Sequence, residues 1–276
     1  MPQFHNDPQF MRLVRRESDV DLILAALEIA RDEQPSVRFE PTLAILKKSV
    51  SRLTHPITQA GSEVEELKLL VRYMTEELGL RGDSDGCDDP DVCYLNKVLE
   101  TGRGLPITVS LIYLWVANRL GISVEPISFN PHFLLRLQTD QGYLYVDTFD
   151  AAQIMTEREC IELLHGKSQR PISEIRRALK PADEISIITR LLHHLKELFG
   201  RTESWNAAWK VQHRLAVLIP GSYRERRDLA VMTLRAGRAG EAIGLLERCM
   251  RTCPQNEKQY LQQHLRQAYR EAPLAN

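Results

Sequence analysis

The sequence predicts an α+β protein: a helical N-terminal region, a core with one central helix on a small antiparallel sheet, and a helical C-terminal region. Three observations carry this. Apolar residues recur at helical spacing through residues 1–80. A helix apolar on nearly every side, "PITVSLIYLWVANRLGI", precedes three segments that alternate apolar and polar residues. Beyond Pro181 helical spacing returns and then repeats itself. The expected segments are therefore 1–80, 81–165 and 166–276.

Composition narrows the class of protein. At 43% hydrophobic and 26% charged residues the chain reads as an ordinary globular domain with real cores. A net charge of −1 gives no overall field to recruit nucleic acid or an anionic membrane, and neither is expected as a partner. Residues 201–251 nevertheless carry ten Lys/Arg against five Asp/Glu, either a basic docking face or solvated helix surface. The opening "MPQFHNDPQFMRLVRRES" lacks the apolar stretch of a secretory signal, and no apolar run is long enough to span a bilayer. Five cysteines, an odd number without framework spacing, fit a reducing cytoplasm. The pairs Cys87/Cys93 and Cys249/Cys253 bring none of the further ligands zinc needs, so no metal or cofactor is expected.

The elements follow in order. "DVDLILAALEIARD" (19–32) places Leu22, Leu24, Ala25, Leu27 and Ile29 at helical spacing; "PTLAILKKSVSRL" and "SEVEELKLLVRYMTEEL" are two more amphipathic runs. Ser62 with Glu65 has the form of a capping box. The Asp-rich "GLRGDSDGCDDPD" invites a calcium loop. With Gly86 in sixth place, however, the first and twelfth ligands would be Arg81 and Val92, so a solvated loop is expected. "VCYLNKVLETG" reads as a short helix ending near Gly102. Pro106 then opens the apolar helix, where its missing N–H is harmless, and Gly121 closes it.

"SVEPISF", "HFLLRLQ" and "YLYVDTF" are the expected strands, the last two joined through "TDQG". A loop of even length pairs residues whose numbers sum to 281, which places His132 and Asp147 on one sheet face as diagonal neighbours within hydrogen-bond reach. In the C-terminal region Pro220 and Pro254 stand 34 residues apart. The same offset matches Ala208 with Ala242, Trp209 with Ile243, Val211 with Leu245 and Arg214 with Arg248, a tetratricopeptide-like pattern. Such an array suggests a protein or peptide partner. His193 and His194 lie on different helix faces and read as surface residues.

A helix N-terminus, a histidine and a carboxylate in this order have the logic of a Cys-His-Asp acyl-transfer centre, lacking only the cysteine. The segments "YLNKVLETGRGLPITVSLIYLWVANRLGI", "PHFLLRL" and "YVDTFDAA" resemble the SirB-type bacterial family, which joins a helical region, a papain-related transglutaminase-like core and a tetratricopeptide-like tail. The resemblance spans roughly residues 20–260. It implies that His132 and Asp147 occupy the histidine and aspartate positions. It also implies that the nucleophile's position, about fifteen residues before Leu120–Gly121, is held by Pro106.

The expectation is therefore a non-catalytic adaptor that binds protein or peptide through its residual cleft and helical tail. The competing reading is an acyl-transfer or hydrolytic enzyme using His132 and Asp147 with Thr108, Ser110 or a water. Thr108 has the alternative of bonding a carbonyl one turn back, and Cys93 that of a small buried residue. Asp150 is a second candidate partner for His132. Asn96 reads either as a donor into the cleft or as a capping residue. The helix start behind Gly104 offers backbone N–H groups to an anion, and Arg136 reads as an anion contact or an edge charge. The oligomeric state is left open.

Overall fold

The computed structural model describes residues 4–83, 89–130, 132–149 and 152–272. The chain divides into two compact units. One combines Met1–Ser18 with Leu192–Asn276; the other is Asp19–Leu191. Helix α1 (Pro8–Val14) belongs to the first of these.

The Asp19–Leu191 unit begins with three helices, α2 (Leu22–Ala30), α3 (Phe39–Thr58) and α4 (Glu63–Arg72), the last running into a π-helical turn at Tyr73–Glu77. Asp21 caps α2 by accepting from Ile23 N and Leu24 N at 3.0 and 3.2 Å. At α4 the expected capping box forms only by half. Ser62 accepts from Glu65 N, but the Glu65 carboxylate takes the Gly61 amide at 2.9 Å instead of the Ser62 amide.

A two-residue strand β1 (Arg81–Gly82) leads to a 3-10 turn at Pro90–Cys93 and helix α5 (Leu95–Thr101). Strand β2 (Arg103–Gly104) follows and pairs with β1 in parallel. Gly102 ends α5 with φ +73°, and a Cβ there would stand 2.6 Å from the Gly79 carbonyl oxygen, so both backbone angle and space demand glycine. The solvated loop expected over 79–91 is corrected at its edges, where Arg81–Gly82 form β1 and the 3-10 turn starts at Pro90. Asp83 is buried, donates its amide to Gly104 O and pairs with Arg103 at 3.0 Å. Asp85, Gly86 and Cys87 lie outside the described residues.

Helix α6 (Pro106–Leu120) starts at its proline and stops at Gly121, as the sequence indicates, and every residue from Ile107 to Ala117 is buried. It packs on β3 (Val124–Phe129) and β4 (His132–Thr139), which continue into β5 (Gly142–Asp147) and β6 (Gln153–Thr156) as a four-stranded antiparallel meander. The β4–β5 pairs, Leu135 with Val146 through Thr139 with Gly142, all follow the expected register. Sequence reasoning did not foresee β1, β2 or β6.

Nor did it foresee α7 (Glu157–Ser168) and α8 (Ile172–Ala178), which cover a sheet face. Ile127, Phe129, Leu134 and Tyr145 from that face form one buried cluster with Cys160, Leu164 and Ile175. The reciprocal capping box of the chain sits at the start of α7, where Thr156 and Glu159 exchange bonds at 2.8 and 3.3 Å. Helix α9 (Glu184–Arg201) crosses from one unit's residues to the other's.

In the second unit α10 (Trp205–Leu218), α11 (Tyr223–Arg235), α12 (Ala239–Thr252) and α13 (Lys258–Glu271) follow one another with short connections. Ala208 and Ala242, equivalent under the 34-residue period, are both completely buried where neighbouring helices approach. Burial differs at the last marked pair: Arg214 is 1% exposed whereas Arg248 lies on the surface. His193 stays at the surface, its side chain 39% exposed, while its Nε2 lies 3.2 Å from the buried carboxylate of Glu225. Lys196 and Gln212 complete the shell around that carboxylate. Among the described residues no helix is long and apolar enough to cross a membrane.

Candidate functional site

The even-length hairpin brings His132 and Asp147 together. Nδ1 of His132 lies 3.3 Å from Oδ2 of Asp147, with the two side chains 13% and 3% exposed. The strands part at this end, since the β4–β5 ladder stops at Leu135–Val146, and the imidazole–carboxylate contact bridges the gap beyond it. Burial raises the Asp147 pKa. The hydrogen bond to His132 and the Phe149 amide, which donates to Oδ1 at 3.1 Å, outweigh that, so the carboxyl sits below its usual range. An ionised carboxylate at Nδ1 orients the ring and leaves Nε2 as the working nitrogen. Among the described residues Nε2 has no hydrogen-bond partner. Asp150 lies outside the described residues.

The residue after Asp147 turns to the central helix. Thr148 shares a 2.7 Å hydrogen bond with Ser110 Oγ and donates to the Pro106 carbonyl at 3.4 Å. The first turn of α6 is thereby tied to the end of β5. Pro106 is the first helical residue, and it has no nucleophilic side chain.

The candidate replacement nucleophiles are all committed. Thr108 is completely buried, and its hydroxyl lies 2.9 Å from Val92 O and 3.0 Å from Leu105 O. Of its two readings, the one that forms is the bond to a carbonyl one turn back, at Leu105. Ser110 is held by Thr148. Burial, with Asp89 nearby, pushes the Cys93 thiol up to about 12. One thiol escaped sequence reasoning: Cys160 of α7 stands within electrostatic range of Asp147. Burial first, then the charges of Asp147 and Glu157, push it to about 12 as well. A thiol that stays protonated is neither a nucleophile nor a metal ligand at neutral pH. A lone cysteine in a helical stretch carried no signal that would have placed it there.

The expected ligand contacts are also corrected. Asn96 faces inward, donating from Nδ2 to Gln34 Oε1 at 2.8 Å. Its Oδ1 is buried with no partner among the described residues. Gly104 is closely packed: a Cβ there would lie 2.8 Å from Thr108 Oγ1 and 2.9 Å from the Val98 methyls. Arg136 shares a strand face with His132 but is spent on a structural fork. It grips Glu125 Oε2 at 2.7 and 2.9 Å, donates to Leu179 O and lies over the Tyr143 ring. Sequence reasoning missed a different arginine at this end of the sheet. Arg190, whose pKa burial lowers to about 10, donates to Ser128 Oγ and to the backbone oxygen of His132, at 2.9 and 2.8 Å. It clamps the β3–β4 turn from which the imidazole projects.

A buried helix tied by its first turn to a sheet that carries a histidine–aspartate pair defines a transglutaminase-like core. Residues 40–193 match the family model described as the transglutaminase-like superfamily, and residues 195–267 match a tetratricopeptide repeat model. The chain belongs to the transglutaminase-like superfamily, in the group that contains SirB1 and the UPF0162 proteins. A UPF0162 protein of Xylella fastidiosa is 32% identical over 251 residues, covering 86% of each chain. Protein SirB1 of Salmonella typhimurium is 25% identical over 76% of this chain and 78% of its own. Human F-box only protein 21 is 30% identical over 54% of this chain and 23% of its own length.

Proposed function

We propose that this protein is a non-catalytic transglutaminase-like adaptor of the cytoplasm, binding a protein or peptide partner through its tetratricopeptide-like helices and its residual cleft. One observation carries the reading. Each side chain that has been a candidate to attack from beside His132 is unavailable: Pro106 has no nucleophile, Thr108 and Ser110 are hydrogen bonded elsewhere, and Cys93 and Cys160 hold their protons. The match of residues 195–267 to a tetratricopeptide repeat supports a protein partner, because such arrays present extended helical surfaces to peptides. Residues 1–80, 81–165 and 166–276 serve as the working segments of this reading.

A second reading, hydrolysis with a water as nucleophile, draws on the intact pair: a general base needs only a water within hydrogen-bond reach of Nε2. One experiment decides between them. The full chain is incubated with a fluorescent primary amine and a glutamine-bearing peptide, with a panel of peptide and acyl esters, and with a fluorophosphonate probe. The adaptor reading expects wild type and His132→Ala to be indistinguishable in all three. Turnover or labelling present in wild type and abolished by His132→Ala would overturn it in favour of the enzyme.

A further inference from the structure

The tetratricopeptide-like unit contains a segment that its repeat does not call for. Residues 4–14 lie on α10, although about two hundred residues separate them in sequence and the repeat match begins only at residue 195. Three side chains at three-residue spacing make the contact. The rings of Phe4 and Phe10 lie 4.5 and 4.8 Å from the guanidinium carbon of Arg214, and Asp7 Oδ2 accepts from its Nη2 at 2.8 Å. Phe4 also meets His213 edge to face, as does Trp209. At the far end Arg16 donates to the Leu218 carbonyl at 2.9 Å, capping the last turn of α10.

The surface beneath this segment is of a kind that recognises ligands. One repeat later the equivalents of His213 and Arg214 are Glu247 and Arg248, and both are exposed. The face is thus open in the repeat pattern and covered here by an added segment. The segment also spends its chemistry outward. Asp7 occupies the N-cap of α1, where an aspartate ordinarily accepts from its own helix, yet makes no capping bond and reaches Arg214 instead. Two non-glycine residues with left-handed backbone, Arg16 at φ +61° and Asp19 at φ +59°, bracket the connection out of the segment. Such positions are held in place by their surroundings.

We propose that the Trp209–His213–Arg214 face of α10 is a peptide-recognition site, occupied in cis by the N-terminal segment, which a partner displaces by offering an aromatic–x–x–acid–x–x–aromatic sequence. The proposal deepens the adaptor reading by naming the partner's chemistry, but it stands on the α10 contacts alone, so loss of one leaves the other testable. Arg214 supplies the specificity. A cation buried between two rings favours a carboxylate, and a segment lacking one forfeits that ion pair.

The test keeps the whole chain. A protease site placed between Ser18 and Asp19 is cleaved, leaving the segment held only by its contacts, and a fluorescent peptide of residues 4–18 is added. The nicked protein is expected to take up the peptide while uncut protein excludes it. Asp7→Asn in the peptide or Arg214→Gln in the protein is expected to weaken uptake by roughly 30-fold or more. Uptake insensitive to both changes, or no exchange with the protein still folded by circular dichroism, would overturn the site. A second measurement covers the case in which the nicked chain unfolds. In the intact protein, amides of α1 should exchange with deuterium faster than those of α10, as a detachable segment requires. Equal rates would make the segment ordinary core and end the proposal.

Discussion

Glu225 shows what a single buried charge can decide. It is 3% exposed and accepts from Gln212, with His193 and Lys196 against the same carboxylate. Burial raises its pKa, but these three partners outweigh burial and bring it to about 2. The folded pKa is therefore depressed, so the stability it confers is present above the unfolded value of about 4.5 and is lost as pH falls toward 2. A shift of that size is linked to about 3 kcal/mol. Glu225→Gln should lower the urea unfolding free energy by about 2–3 kcal/mol at pH 7 and flatten its decline between pH 5 and about 2. Parallel acid limbs for variant and wild type would refute this. Asp147 has the same sign of linkage, its lowered carboxyl depending on His132 and the Phe149 amide. Asp147→Asn should cost about 1–3 kcal/mol above pH 4, measured in the same titration, with no loss expected once both forms are neutral.

Among the elements, α6 was the most legible and the layers around it the least. A proline, a run of apolar residues and a closing glycine fix that helix without reference to anything distant, and the parity of one hairpin suffices to join His132 to Asp147. What happens to Thr108 and Ser110 depends on Val92 and Thr148, 16 and 38 residues away, which no local pattern relates to them. Strands of two and four residues such as β1, β2 and β6 are too short to show a period. The start of α7, by contrast, was written in Thr156 and Glu159 and went unread. The Ser110–Thr148 bond has a measurable consequence. Removing the Thr148 hydroxyl orphans Ser110 in a buried site, and removing Ser110 leaves Thr148 with only its long bond to the Pro106 carbonyl, so Thr148→Val and Ser110→Ala should each cost about 1–3 kcal/mol, the former more. The double variant should cost less than their sum, because neither partner is then left unpaired. Simple additivity in thermal melts would show that the two hydroxyls are not coupled.

At the scale of the molecule, the two compact units draw on the sequence differently: one is a continuous stretch, the other joins the first eighteen residues to the last eighty-five. Arg214 makes that junction strong and vulnerable together. Breaking a buried ion pair from one side leaves an uncompensated charge, so Asp7→Asn should destabilise the protein by about 3–5 kcal/mol in urea titrations. Replacing the arginine with methionine in the same background should recover part of this, since the orphaned cation is removed along with its partner. A loss under about 1 kcal/mol for Asp7→Asn would mean that water reaches the guanidinium.

Phe4, 8% exposed with its ring over a guanidinium, bears on how the protein should be labelled. A dye or crosslinker placed among residues 4–10 would press on the ring–cation cage and report on a weakened molecule. Exposed positions such as Ile172 are the safer places for a probe.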